Sequence, residues 1–491
     1  MRYKLVEVIV GGYFFFFLFL GILSMLVYWC LQQKQPTTIS FKIGCWLSRI
    51  IFRINLLVTT MIAWLSIELI FKNVKFIVLP CRIPSTLHEF IIDSITILQL
   101  GIYTGGLVFY LLILLLYPIM VLLLVVDIKD EKIWYIYYIG CSLLVGLIVI
   151  VIFTDNFLVV CIGHILICCI LFYLLACKGR VRVPDSVWIS FFFGLILVII
   201  GAVSLYRITG GSVWAITNGL QVKEPLRYWL QCCFYIGFSL PIGLWPVCNR
   251  VLGSCKDIPD SFLVFLNCVF PIYTIFLLTC VHSLLLGIAL NYLVLILIAL
   301  TISVLTFQLC FEVEFRVIVG YMSIIQTFLV IFIYLLDSPM IRNGLVCDMW
   351  VHSWCISSLY ISLARFARCY GEDITTSHSG LFYKYPGTTS LTIISFGFFV
   401  RVVVKFLYVI CIQSAWGMGN LLLLSLLVPM LISLIIYLAI ILWRWSYLWF
   451  YAPKQTNIHI SEWFTWEEFF SILYLLVTTV GLFFYQIIFY W

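Results

Sequence analysis

Residues 421–442 carry no charged side chain. An α-helix rises about 1.5 Å per residue, so roughly 20 apolar residues cross the ~30 Å hydrocarbon layer of a bilayer. Comparable runs occupy Val8–Cys30, Trp134–Phe153, Phe157–Cys177 and Val187–Leu205. Lipid offers no hydrogen-bond partners to open backbone, so such runs must be helices or the strands of a closed barrel. A barrel requires polar and apolar residues to alternate, whereas here apolar residues fill both faces of every long run. The fold expected is an all-α polytopic membrane protein.

Polar punctuation divides the 491 residues into about fourteen spans: 8–31, 50–71, 89–126, 133–153, 156–177, 187–206, 225–248, 260–287, 289–310, 315–336, 345–364, 388–414, 421–446 and 464–490. The first follows a short Arg2/Lys4 lead and lacks a small-residue cleavage pattern, so it is expected to be a permanent helix. Span 89–126 exceeds one crossing and is expected to tilt, to break at Gly105-Gly106, or to bend at Pro118. The longest polar interludes, 32–43, 207–222, 367–387 and 447–463, are too short for a soluble domain.

Hydrophobic residues make up 64% of the chain and charged ones 10%, against about a quarter in soluble domains. The formal charge of +7 is spread over short loops, so nucleic-acid binding has no support. The basic loops at Lys178–Arg182 and Arg365–Arg368 fit a positive-inside bias. Nineteen cysteines form no C-x-x-C pair and lie mostly in apolar runs, which reads as packing rather than disulfides or metal ligation. The frequency of Phe (41) and Trp (17) would suit a protein made where it is inserted.

Ionisable groups at membrane depth cost several kcal/mol (roughly 2.5–3.5 on insertion scales), so those retained are the candidates for function. His164 lies in the middle of its span, with an imidazole suited to proton relay or, equally, to a hydrogen bond with a neighbouring helix. Lys405 has Arg401 one turn earlier on the same face, and two such cations need acidic partners or water. Snorkelling to the interface fits Arg401 better than Lys405. Glu314 and Arg316 open the tenth span, where a solvated helix end is the plainest reading. His352, between Trp350 and Trp354, lies a turn or two into the eleventh, and His282 reads as packing. Pro241 interrupts the seventh span and removes a helical hydrogen bond. Such a break marks either an ion pathway or a kinked packing helix.

Four stretches together resemble the antiporter-like membrane subunits of proton-pumping NADH:ubiquinone oxidoreductase, respiratory complex I. Glu314-Phe-Arg316-Val-Ile-Val-Gly-Tyr321-Met-Ser323 is similar to that family's D-x-K-x-x-x-A-Y-S-S run. Val351-His352-Ser-Trp-Cys-Ile-Ser357-Ser358-Leu resembles its A-H-G-L-x-S-S helix. Pro241 through Ser261 resembles the broken seventh helix and the segment after it. Ser461-Glu-Trp-Phe-Thr-Trp-Glu467-Glu468-Phe-Phe is similar to the D-x-N-x-R-E-x-F start of the last helix, which favours the fourth subunit over the second and fifth.

The resemblance covers about residues 150–490. It implies inverted five-helix repeats with broken helices, here approximately 133–287 and 288–446, preceded by N-terminal helices in 1–132 and followed by a loop and last helix in 447–491. It implies proton translocation through His164, His352 and Lys405, with Glu314, Arg316 and Arg401 in support and Pro241 as the helix break. No catalytic or metal residue is implied. NADH, FMN, iron–sulfur clusters and ubiquinone would be held by other subunits, with no cofactor on this chain. The partners implied are the other membrane-arm subunits and lipids, in the mitochondrial inner membrane.

The sequence departs from the family in its charges. Ser239 stands where a lysine is expected two residues before the proline, and Phe270 at or near the lysine of the eighth helix. His164 takes the place of a buried glutamate, and Lys405 that of the fourth subunit's glutamate. A subunit that holds the arm together without pumping is therefore a second reading. A stand-alone cation/proton antiporter is a third, and a membrane transferase using His352 as base a fourth.

Overall fold

Among the residues described, eight helices are long and apolar enough to cross a membrane: Ile136–Phe153, Phe157–Ala176, Phe191–Ile208, Asp260–His282, Tyr292–Leu309, Phe315–Leu335, Pro386–Cys411 and Ser425–Phe450. The computed structural model describes residues 77–80, 99–102, 109, 113, 116–117, 120, 131–154, 156–177, 185–209, 224–246, 258–284, 292–336, 345–370, 374–376, 378–416 and 421–451. The predicted spans 8–31, 50–71 and 464–490, with Glu467 and Glu468, lie outside them, so the count of fourteen is not tested. The fold is that of an all-α, multi-pass membrane protein.

The elements, in chain order, begin with a short antiparallel ribbon of β1 (Ile77–Pro80) and β2 (Gln99–Ile102). Strand β2 falls within predicted span 89–126, so that span is not helical throughout. Gly101, Gly105 and Gly106 lower helix propensity there. Beyond them Phe109, Ile113, Leu116, Tyr117 and Met120 are helical and buried, spaced as one face of a helix.

Then come α1 (Glu131–Phe153), α2 (Phe157–Cys177), α3 (Asp185–Thr209) and α4 (Glu224–Ser239). Helix α5 is assembled from Asp260–Val264, a π-helical turn Phe265–Val269, and Phe270–Leu284. It is followed by α6 (Tyr292–Leu309), α7 (Phe315–Leu335), α8 (Leu345–Tyr370), the single turn α9 (Leu381–Lys384), α10 (Pro386–Trp416) and α11 (Leu421–Phe450).

The chain divides into two units. The first comprises Met1–Arg182, Phe191–Phe238 and Ile272–Gly287. Within it α1 packs along α2, and Gly140 and Gly163 allow the approach: a Cβ added to Gly140 would lie 2.5 Å from Leu174, and one on Gly163 2.4 Å from Val151. Helix α4 meets α3 in the same way, since a Cβ on Gly237 would lie 2.8 Å from Val198 and 3.0 Å from the Gly194 carbonyl oxygen. Small residues at helix crossings are how membrane helices gain close packing when lipid supplies no hydrophobic drive between them. The other face of α3 exposes Phe192, Phe193, Ile196, Ile200 and Val203, an apolar surface suited to lipid.

The second unit comprises Val183–Ser190, Ser239–Pro271 and Ile288–Trp491. Its centre is α7, buried along nearly its whole length from Phe315 to Ile333 and packed against α6, α8, α10 and the π turn of α5. Helix α11 buries Leu427, Met430, Leu434, Tyr437, Ile441, Trp445 and Leu448, a stripe spaced by threes and fours, against α6 and α10. Arg444 fastens this helix by donating to the backbone carbonyls of Glu312 and Cys310, the latter at 2.6 Å. The turn between α6 and α7 is held in turn by Glu314 bridging Thr375, with Phe315 N–H donating to Ile374 O at 3.0 Å.

The expected break at Pro241 is present. Helix α4 ends at Ser239, and Leu240–Ile242 form a 3-10 turn that stops at Gly243, whose φ of 117° is left-handed. The freed backbone is satisfied within protein: Leu244 N–H donates to Ser239 O at 3.3 Å, and Trp245 N–H to Thr301 Oγ1 at 3.0 Å. Ser239, Leu240, Pro241, Ile242 and Leu244 are all buried. The helix carrying Lys405, by contrast, is continuous from Pro386 to Trp416.

Candidate polar axis

Most of the charge-bearing and amide side chains that the second unit buries lie on three helices around α7's N-terminal half. Lys405, on α10, donates to both carboxylate oxygens of Asp348 on α8, at 2.9 and 2.8 Å. Asp348 is buried and Lys405 partly exposed, with side-chain exposures of 8% and 40%. Arg401, one turn before Lys405, is exposed and sits near enough for its charge to act on the same carboxylate.

His352 follows Asp348 by one helical turn, about 6 Å along the axis. It is fully buried. Its Nδ1 lies 2.9 Å from Gln326 Oε1 and its Nε2 3.3 Å from Ser323 Oγ, both on α7. Ser323 in turn donates its hydroxyl to the backbone carbonyl of Asn267 at 2.6 Å, inside the π turn of α5. With that proton committed, Ser323 meets His352 as an acceptor, and so does Gln326 as its amide is placed. Both ring nitrogens then face acceptors, an arrangement that satisfies a protonated imidazole. A rotation of the Gln326 amide would present its NH2 group instead and satisfy the neutral ring.

The string continues across α5. Asn267 Nδ2 donates to Tyr360 Oη at 2.9 Å, and Tyr360 donates to the Arg316 carbonyl at 3.5 Å. Arg316 grips Asp260 through Nε at 2.8 Å and Nη2 at 3.0 Å. Such two-point guanidinium–carboxylate pairs fix both charge and orientation. Arg316 is therefore a partner of Asp260 rather than a solvated helix end. Glu314 stands at the N-cap of α7, where its backbone makes the bridge to Thr375.

In the first unit His164, on α2, is completely buried. Its Nδ1 lies 3.3 Å from Tyr273 Oη and its Nε2 3.6 Å from Cys168 Sγ, with Phe238 edge-on to the ring at 4.8 Å. His282 Nδ1 lies 3.1 Å from Tyr235 Oη, in keeping with the packing role expected of it.

Asp348, which the sequence did not single out, is bonded to Lys405 and lies one turn from His352. It precedes His352 by four residues, the spacing that places two side chains on one helix face, and that signal was legible. Asp260, Asn267, Ser323, Gln326 and Tyr360 are ordinary residues in sequence and gain meaning only from α5, α7 and α8 meeting. At the expected lysine position Phe270 is buried, while Asn267 three residues earlier carries a polar contact.

Solved structures with this architecture include chains of two respiratory complexes and of an Mrp complex. A chain of respiratory complex I from Thermus thermophilus with bound NADH superposes with a TM-score of 0.69 at 13% identity, covering 87% of this chain and 90% of that one. The fold is shared. A chain of the membrane-bound sulfane sulfur reductase, an archaeal respiratory membrane complex, gives 0.70 at 15% identity over 87% of this chain and 71% of that one. A chain of the Mrp complex from Dietzia sp. DQ12-45-1b gives 0.65 at 12% identity over 84% and 77%. No protein-family model and no curated protein matches the sequence. The likeness to the antiporter-like architecture of complex I is thus carried by structure, at identities too low for sequence to carry it alone.

Proposed function

We propose that this chain is a membrane-arm subunit of a respiratory complex I and carries part of its proton path, with His352 and Lys405 as carriers in the second unit and His164 in the first. The observation that supports this reading most directly is a pair of polar runs in apolar surroundings, Lys405–Asp348 and His352–Ser323–Asn267–Tyr360–Arg316–Asp260, with Asp348 and His352 one turn apart on α8. Polar and ionisable groups at membrane depth are expensive and mark ion routes. A merely structural core would need few of them. Glu314, Arg316 and Arg401 act in support, by anchoring the ends of the runs or adding charge beside them.

Electron transfer from NADH to ubiquinone belongs, in this proposal, to other subunits holding FMN and iron–sulfur clusters. The subunit proposed is the fourth, with the second and fifth as alternatives, in the mitochondrial inner membrane. The experiment is purification from the native membrane. The chain should migrate with subunits carrying iron–sulfur clusters, and a chain that sediments without them would overturn the proposal.

Ser239 and Phe270, where lysines were expected, favour one other reading: a subunit that holds the arm together and no longer pumps. Lys405→Met in the reconstituted complex separates the two. A lowered proton-to-electron ratio supports conduction, and an unchanged one supports the scaffold.

A further inference from the structure

Two polar features of the structure have been given no step of their own: the Arg444 clamp and the Asp348 carboxylate. The first is backbone fastening. The second is a buried acid bonded to Lys405 and one helical turn from His352.

We propose that Asp348 and Lys405 form an opening ion pair that passes protons to and from His352. This rests on the conducting role proposed above and names its step. In the closed state seen here Lys405 holds both carboxylate oxygens of Asp348. Lys405 is the more exposed partner, on a long flexible stem that reaches its surroundings by rotating about its own bonds. When it swings away, Asp348 is left as a buried carboxylate one turn from His352.

The transfer balances within the pair. The Nδ1–H of protonated His352 leaves Gln326 Oε1 and breaks as its proton forms an O–H bond with a carboxylate oxygen of Asp348, and the imidazole is left neutral. Rotation of the Gln326 amide then satisfies the neutral ring. On the return of Lys405 the O–H bond of Asp348 breaks and its proton passes to water on the exposed side of Lys405, because a protonated carboxyl cannot accept two bonds from the ammonium as the carboxylate does. Arg401, also from α10, adds its charge to that of Lys405 on the carboxylate. The groups that meet His352 are the uncharged Ser323 and Gln326 of α7, while Cys268 in the π turn of α5 donates to the carbonyl of Ser353, the residue after His352.

The test uses the whole complex reconstituted in sealed vesicles, with Asp348→Asn, Lys405→Met, the double variant D348N/K405M, and His352→Phe. Co-purification with the iron–sulfur subunits reports assembly, and the proton-to-electron ratio reports conduction. Each single variant is expected to lose this subunit's share of the ratio while NADH oxidation continues, and the double variant to lose that same share and no more. Where a single variant fails to assemble, the charge-neutral double variant carries the test, since it leaves no buried charge alone. A double variant that assembles and keeps the wild-type ratio, while His352→Phe lowers it, overturns the ion pair and leaves the conducting role standing. If all four variants assemble and keep the wild-type ratio, the conducting role itself falls and the pair with it.

Discussion

Lys405 and Asp348 lie 57 residues apart in sequence and meet across α8 and α10 with both carboxylate oxygens bonded to one ammonium. The same contact that is proposed to open during turnover also holds two helices together. Removing one partner leaves the other charge uncompensated, which for fully buried pairs costs about 3–5 kcal/mol. Lys405 is partly exposed, so we expect the lower cost of on the order of 1–3 kcal/mol for Lys405→Met. Thermal melting of the purified protein in detergent should show a lower Tm for Lys405→Met and recovery in D348N/K405M. A melting curve for Lys405→Met that overlays the wild type would remove the pair from the stability of this interface.

Arg444 offers a second test, independent of conduction. Its guanidinium donates to the carbonyls of Glu312 and Cys310 in the turn that follows α6. Arg444→Met keeps the stem and deletes both charged donors. Hydrogen bonds to charged groups contribute about 1.5–3 kcal/mol, so a loss of that order is expected, read as a drop in melting temperature. No drop would mean that these carbonyls find other donors at equal cost.

Two glycines should respond in opposite ways. A Cβ on Gly237 would press on Val198 and on the Gly194 backbone, so Gly237→Val should separate α3 from α4 and cut the yield of folded protein severely. Gly397, on α10, has nothing within 4 Å of an added Cβ. Gly397→Ala should be tolerated and raise stability by about 0.5–1 kcal/mol through helix propensity. Folded yield in a size-exclusion profile distinguishes them, and equal profiles for the two variants would contradict the close packing at Gly237.

The basic residues described in the loops and helix ends of the second unit predict its orientation. Arg316, Arg365, Arg368, Lys384 and Arg444 gather at the end where α6 and α8 finish and α7 and α10 begin. Tyr383, Phe382 and Phe450 supply exposed aromatic rings at that end, as at a membrane–water boundary. Basic residues in short loops stay on the side of synthesis. A cysteine placed at Tyr383, which is 65% exposed, should react with a membrane-impermeant maleimide from that side in sealed vesicles. Labelling from the opposite side alone would reverse the assignment.

Much of the fold was legible because lipid imposes simple arithmetic on length and polarity. Helices α2, α6, α7 and α10 lie close to the spans counted from sequence, and the helix break falls at Pro241. The arrangement of faces was not legible. Helix α11 is apolar on both sides, with Val428, Ile432, Ile435 and Leu442 exposed beside the buried stripe of Met430, Leu434 and Tyr437, so no periodicity told lipid from protein. The site was half legible for the same reason in reverse. His352 and Lys405 stand out as ionisable residues in apolar text, whereas Ser323, Gln326 and Asn267 are polar residues of a kind every membrane helix tolerates, and only packing makes them neighbours.

The π turn at Phe265–Val269 has a consequence for how this chain lines up with others. Each α-helical residue advances the chain by about 100° around the axis. A π turn takes in one residue more per turn, so everything after it is displaced in phase from a uniform helix. Counting forward in fixed steps from Pro241 reaches Phe270 for a polar position, yet the side chain that meets Tyr360 is Asn267, within the widened turn itself. Any residue-by-residue correspondence drawn through α5 at constant spacing compares unlike faces beyond this point. Removing one residue there would restore an ordinary helix and leave its remainder on nearly the faces it now presents, because the widened turn takes in the extra residue within about the same rotation.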